Sequence, residues 1–341
     1  MVIIKHLISL IFTFFATMIL VPLNIKFAQK YNLIDKPHQR GLHKNPVPFG
    51  GGFSFAMPII IIQLFGYFIF GTQMLCLAIG GFLMLLLGFL DDKIKVTANY
   101  KLFFQIIIIT IVYFFGFKIE LLTNPFGETI ELGMFSFPVT TIWFLVVVNA
   151  FNLIDGLDGL ASGIALISAT VLFAVGFVKS NEIIMFLSLS VIGANFAFLK
   201  YNFYPAKIFM GDTGSLFLGF NIAAISIAGN GEFKGITSMT LLVPIIILAI
   251  PLLDILFAII RRVKLKKHIF QADKQHIHHK LHEMGISQKN VALISYFITM
   301  LFGLIAFGFS YSSEKMLLTI LLFLLFILLI VIYKLFKKEM K

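Results

Sequence analysis

Cysteine and tryptophan each occur once in the 341 residues, and charged side chains make up only 13% of them. The single thiol, Cys76, excludes an intramolecular disulfide framework. An ordinary soluble domain carries about 25% charged residues. So few charges exclude a soluble enzyme of ordinary composition, and such high apolarity excludes a disordered chain. Apolar residues fill the sequence instead, at 59% of the total, with 41 phenylalanines and a mean hydropathy of +0.99. A globule of this size cannot hide that many apolar side chains, so the sequence is that of an all-α, polytopic membrane protein.

A membrane-spanning helix needs roughly 20 mainly apolar residues. Stretches free of Asp, Glu, Lys and Arg cover 6–25, 53–90, 102–117, 132–154, 159–178, 183–199, 213–231, 235–253, 290–313 and 316–333. The stretch 53–90 is long enough for two spans and breaks near Gly71-Thr72-Gln73, which brings the expected number to eleven. The first stretch is too long for a signal-peptide core and lacks a small-residue cleavage pattern, so it counts as a span. The whole chain, 1–341, reads as one membrane-embedded domain with a large cytoplasmic loop at 261–289 that belongs to the active site.

With eleven spans and the loop before Phe53 taken as cytoplasmic, 22 of the 27 lysines and arginines fall on the cytoplasmic side and 5 on the other. One missed helix would exchange every later loop, so the split argues for an external amino terminus and a cytoplasmic carboxyl terminus. The formal charge of +11 is thus topological, and a nucleic-acid partner is not expected. All eight aspartates (Asp35, Asp91, Asp92, Asp155, Asp158, Asp212, Asp254 and Asp273) lie on the cytoplasmic side, whereas the six acidic residues outside are all glutamates. Five of those aspartates stand where helices meet the interface.

Asp91-Asp92 closes a long apolar run and is followed by Lys93, Lys95 and Lys101. Adjacent carboxylates at the edge of hydrocarbon repel and lose water, a cost that a cation offsets. Asn152, Asp155 and Asp158 recur every third residue, which on a helical turn puts them on one face, while Gly156 and Gly159 allow close approach. In Phe209-Met-Gly-Asp-Thr-Gly-Ser215, Asp212 can cap the helix that follows or offer oxygen to a hard cation. His276, His278 and His279 lie in the large loop beside Lys274 and Lys280; they suit phosphate better than zinc, for which no cysteine completes a site. Arg40 and His43 sit in a basic loop ending in Gly50-Gly51-Gly52, which either receives a phosphate or serves helix packing. Asp254, three residues after Pro251, is an intramembrane carboxylate. Carboxylates for a divalent cation and basic groups for phosphate, gathered at one membrane face, are the parts of metal-assisted phosphoryl transfer between a soluble and a lipid phosphate. A transporter is the competing reading, although its site would lie nearer the bilayer midplane and between repeats.

In their order, Gly88-Phe-Leu-Asp-Asp92, Asn152-Leu-Ile-Asp-Gly-Leu-Asp158, Phe209–Ser215 and His276-Ile-His-His279 resemble the motifs of the polyprenyl-phosphate N-acetylhexosamine-1-phosphate transferases. That family includes MraY and the WecA/TagO branch; His-Ile-His-His and an eleventh span resemble the latter. The resemblance implies transfer of N-acetylglucosamine-1-phosphate from UDP-N-acetylglucosamine to undecaprenyl phosphate, with release of UMP, as the first membrane step of a cell-wall or surface glycan. An MraY-like enzyme acting on a muramoyl-pentapeptide sugar is the alternative. It further implies Mg²⁺, with Mn²⁺ as an allowed substitute, held by Asp212 and Asp155. Asp91 or Asp92 would activate the lipid phosphate. Lys95, Lys101, Asn152, Asp155, Asp158, His276, His278, His279, Arg40 and His43 would contact substrates. The expected setting is a bacterial inner membrane with the active site on its cytoplasmic face, and a homodimer is an allowed assembly.

Overall fold

The computed structural model describes residues 2–35, 46–122, 130–228, 245 and 287–309. Among these, nine α-helices carry the fold: α1 (Val2–Lys30), α2 (Gly52–Phe70), α3 (Thr72–Ile94), α4 (Ala98–Phe114), α5 (Ser136–Ile154), α6 (Leu160–Val178), α7 (Glu182–Asn202), α8 (Gly211–Ile227) and α9 (Gln288–Phe309). Seven are long and apolar enough to cross a membrane. The other two, α4 and α8, have 17 residues each. The chain is therefore a polytopic helical membrane protein. The spans expected at 235–253 and 316–333 lie outside the described residues, as does Asp254.

The long apolar stretch breaks where the sequence says it should. Gly71 ends α2 with φ +85°, a conformation that glycine adopts without steric cost, and α3 starts at the next residue. Two features depart from an all-helical chain. Ile34–Asp35 (β1) pairs antiparallel with Val47–Pro48 (β2), and Leu121–Leu122 (β3) pairs with Ile130–Glu131 (β4). These two-residue ribbons tie down connections, and a two-residue ladder is too short for alternation of apolar and polar residues to reveal it.

Helix α8 is the axis of the bundle. Every residue from Thr213 to Ile227 is buried, against α3, α5 and α2. A helix apolar on all sides belongs in an interior. Close approach is made possible by glycine. A Cβ on Gly52 of α2 would strike the backbone of Gly214, and one on Gly88 of α3 would strike the carbonyl of Asp212. Three polar contacts cross the interior: Gln63 donates to Asn221 at 2.6 Å, Asn149 to Gln105 at 3.0 Å, and the Trp143 indole to Ser226 at 3.1 Å. Around this core α7 packs on α1 and α6, and α9 packs on α6.

Candidate active site

The end of α3, the start of α4, the end of α5 and the start of α8 meet at one end of the bundle. Helix α3 finishes with Asp91 and Asp92 in its last turn, and Lys95 closes it in the left-handed conformation with φ 55°. That turn reverses the chain into α4, whose first turn carries Lys101 back over Asp91. The Lys101 ammonium lies 2.6 Å from Asp91 Oδ2, 3.1 Å from Asn152 Oδ1 and 3.3 Å from Asp212 Oδ2. Asn152 in turn donates to Asp212 Oδ1 at 2.6 Å and to Ser215 Oγ at 3.0 Å. One cation thus donates to three oxygen acceptors from three helices, two of them carboxylates.

Asp92 points the other way. Its Oδ1 accepts the backbone N–H of Asp212 at 2.9 Å, and its Oδ2 accepts the N–H of Thr213 at 3.0 Å and the Thr213 hydroxyl at 2.6 Å. The first N–H groups of a helix lack partners inside it. A carboxylate from α3 supplies them here and complements the positive end of the α8 dipole. Gly211, with φ +71°, makes the junction feasible, because a Cβ there would stand 2.5 Å from Asp92 Oδ2. Asp212 does not cap α8, as the sequence suggested; it lies in the first turn, and Asp92 does the capping.

The expected shared face of Asn152, Asp155 and Asp158 does not form. Helix α5 stops at Ile154, Asp155 is its C-cap, and the turn through Gly159, with φ +76°, begins α6. Asn152 therefore faces the Lys101 cluster, whereas Asp158 accepts the backbone N–H of Ala206 at 2.9 Å and ties the α5–α6 turn to the α7–α8 connection. Glycines at 156 and 159 favour leaving the helix over extending it. Asp155 sits just past the negative end of α5. Loss of water, followed by the charges of Asp212, Asp92 and Asp158, pushes its carboxyl well above the ordinary carboxylate range.

The glycine end of the basic loop is packed against the α7–α8 connection, while Arg40 and His43, on which the phosphate reading rests, lie outside the described residues. The Gly51 N–H donates to Phe209 O at 2.9 Å, Gly52 N–H to Met210 O at 3.1 Å, and Phe209 N–H to Pro48 O at 2.9 Å. Lys95 is exposed and is not joined to the cluster. Arg40, His43, His276, His278 and His279 lie outside the described residues. Thr213 and Ser215 were not singled out from the sequence. Ser215 shares a helix face with Asp212, three residues earlier, and that spacing could have found it.

Among the described residues, the carboxylates of Asp91, Asp92, Asp155 and Asp212 belong to this end of the bundle, and Lys101 is the one ammonium hydrogen-bonded to them. Hard oxygen donors in excess over positive charge suit a divalent cation such as Mg²⁺. Among the described residues no group of three or more His, Cys, Asp or Glu is placed to hold a metal ion by itself. Such an ion would draw remaining ligands from substrate phosphate and water, the usual habit of Mg²⁺.

Residues 74–230, which span all four helix ends of this site, match the family model described as glycosyl transferase family 4. The chain is 37% identical over 304 residues to a Bacillus subtilis protein named probable undecaprenyl-phosphate N-acetylglucosaminyl 1-phosphate transferase, covering 89% of this chain and 84% of that one. It is 32% identical over 327 residues to decaprenyl-phosphate N-acetylglucosaminephosphotransferase of Mycobacterium tuberculosis, covering 87% and 79%. It is 31% identical over 325 residues to phospho-N-acetylmuramoyl-pentapeptide-transferase of Halalkalibacterium halodurans, covering 88% and 96%. Identity at this level along nearly the full length, with the motif residues gathered at one end of the helix bundle, shows that the chain belongs to the polyprenyl-phosphate hexosamine-1-phosphate transferases, enzymes that move a sugar phosphate onto a lipid phosphate within the membrane.

Proposed function

We propose that this chain transfers N-acetylglucosamine-1-phosphate from UDP-N-acetylglucosamine to undecaprenyl phosphate. An oxygen of the lipid phosphate attacks the phosphorus that bears the sugar; the new P–O bond forms as the bond to UMP breaks, and UMP leaves with that electron pair. The observation that carries this reading is the convergence of Asp91, Asn152 and Asp212 on Lys101 at the positive end of α8. A helix N-terminus and a lysine favour phosphate, and the surplus carboxylates favour the cation that travels with a diphosphate.

Within that reading the residues divide their work. Asp212 and Asp155 would hold Mg²⁺, whose charge would stabilise the diphosphate as negative charge builds on the departing UMP. Lys101 steadies the phosphates once they arrive. Asp91 is the better placed of the acidic pair to orient the lipid phosphate and to take its proton when it carries one, because both oxygens of Asp92 are committed to α8. The histidines at 276, 278 and 279, with Arg40 and His43, would close over the nucleotide-sugar. The 22-to-5 distribution of basic residues supports eleven spans, an external amino terminus and a cytoplasmic site.

The test is UMP release by purified protein in lipid nanodiscs. It should require UDP-N-acetylglucosamine, undecaprenyl phosphate and Mg²⁺ together. UDP-N-acetylmuramoyl-pentapeptide serves as the competing donor, and a preference for it moves the chain to the muramoyl branch. Absence of UMP with every UDP-sugar tried overturns the reading.

A further inference from the structure

The turn that carries Asp155 is held from a second direction, by a residue that belongs to none of the motifs. Tyr296, two turns into α9, donates its hydroxyl to the carbonyl of Gly159 at 2.5 Å. Its ring lies across Gly163, one turn further along α6, where a Cβ would overlap the phenol. A Cβ on Gly159 would stand 3.2 Å from the Tyr296 oxygen and 3.1 Å from Phe203 Cα. Two glycines one helical turn apart thus open a notch on α6, and the tyrosine fills it. On the other side of the same turn, Asp158 accepts from Ala206. Phenylalanine would fill the notch equally well; only tyrosine adds a donor, and a buried hydroxyl is costly unless it finds an acceptor.

We infer that Tyr296 is a positioning residue: through Gly159 it fixes the Asp155–Gly159 turn and so couples the seating of α9 to the binding of the nucleotide-sugar. The inference rests on the transferase reading for its catalytic consequence, but not for the clamp itself. Helix α9 begins nine residues after His279 in the chain. The clamp therefore joins, through one side chain, the element that follows the histidine motif to the turn that bears the second motif. The Gly159 carbonyl also accepts from Gly163 N–H at 2.9 Å and Ser162 Oγ at 3.2 Å. Removing the tyrosine hydroxyl therefore leaves no orphaned acceptor, and the effect belongs at the low end of what a hydrogen bond contributes, about threefold.

The experiment compares wild type with Tyr296→Phe and Gly163→Ala in nanodiscs, by hydrogen–deuterium exchange and by UMP release. In Tyr296→Phe, exchange across residues 155–160 should rise about threefold, exchange across 211–227 should not change, and KM for UDP-N-acetylglucosamine should rise about threefold with KM for undecaprenyl phosphate unaltered. Gly163→Ala expels the ring and should show the same pattern more strongly. A purely packing role predicts equal changes in both KM values, or a lower melting temperature without local exchange, and either result overturns the inference. Unchanged exchange at 155–160 in both variants also overturns it. Should wild type release no UMP, the transferase reading fails, and the exchange data alone then decide the clamp.

Discussion

The two ends of the bundle treat charge in opposite ways. At the end where α1 and α7 begin, two lysines among the described residues each meet one glutamate. Lys5 meets Glu182, and just beyond α4 Lys118 meets Glu120 at 2.6 Å. Each pair is complete in itself, and the Lys118–Glu120 pair is about 40% exposed on both sides. At the motif end, Asp91 and Asp212 share Lys101, Asp92 is turned onto the α8 backbone, and loss of water together with the charges of Asp212, Asp92 and Asp158 pushes the Asp155 carboxyl up. Paired charge is a finished structure, whereas carboxylates in excess over the cations among the described residues are what a site that receives a cation and its phosphates would show.

The contrast breaks most sharply at Asp212. Asp212→Ala removes the acceptor shared by Lys101 and Asn152, and UMP release should fall at least 100-fold, the scale of losing a preorganised electrostatic group. The melting temperature in detergent should stay within a few degrees. Retention of a tenth of wild-type turnover would show that the cluster is not the catalytic centre. Chelation sharpens the same point without a mutation. EDTA should abolish turnover, and adding Mg²⁺ back to about ten times its Kd should raise stability by about 1.4 kcal/mol. Asp212→Ala should show no such stabilisation, whereas Glu120→Gln at the other end should keep all of it.

Next in size is the split between the neighbouring aspartates. Asp91→Asn loses charge at Lys101 and should cost about 100-fold in turnover. Asp92→Asn keeps one oxygen to accept from the α8 amides and should retain about a tenth of turnover. Asp92→Ala, with no cap at all, should lower stability by about 0.5–2 kcal/mol, the usual cost of an uncapped helix. Equal losses in Asp91→Asn and Asp92→Asn, without a change in melting temperature, would contradict the division of roles.

Much of this was legible in the residues. Apolar runs located every described helix, Gly71 marked the break between α2 and α3, and the motif residues Asp91, Lys101, Asn152 and Asp212 do meet. What stayed hidden shares one physical cause. Asp92, Asp158 and the Gly51–Gly52 pair all act on backbone groups of distant segments, at Asp212 and Thr213, at Ala206, and at Phe209 and Met210. Every residue but proline carries an N–H, and every residue a carbonyl, so residue type carries no sign of which ones a side chain will reach. Tyr296 escaped notice for a related reason. Its acceptor is a carbonyl, and its notch is defined by the absence of two side chains. The local rule was misleading at Asn152, Asp155 and Asp158, where three-residue spacing suggested a helix that two glycines then ended.

The smallest effect belongs to the end where charges are paired. Glu120→Gln removes one partner of an exposed ion pair whose lysine gains its affinity for the proton chiefly from its hydrogen bond to that carboxylate. A pair this exposed contributes at most about 1 kcal/mol and is screened by salt. Thermal unfolding in low salt should therefore shift by no more than a few degrees, the shift should shrink at 0.5 M NaCl, and UMP release should match wild type. A loss of turnover in Glu120→Gln with the fold intact would mean that the paired end communicates with the site along α4, whose first turn holds Lys101 and whose far end leads to Lys118. The separation of the bundle into a completed end and a substrate-awaiting end would then have to be abandoned.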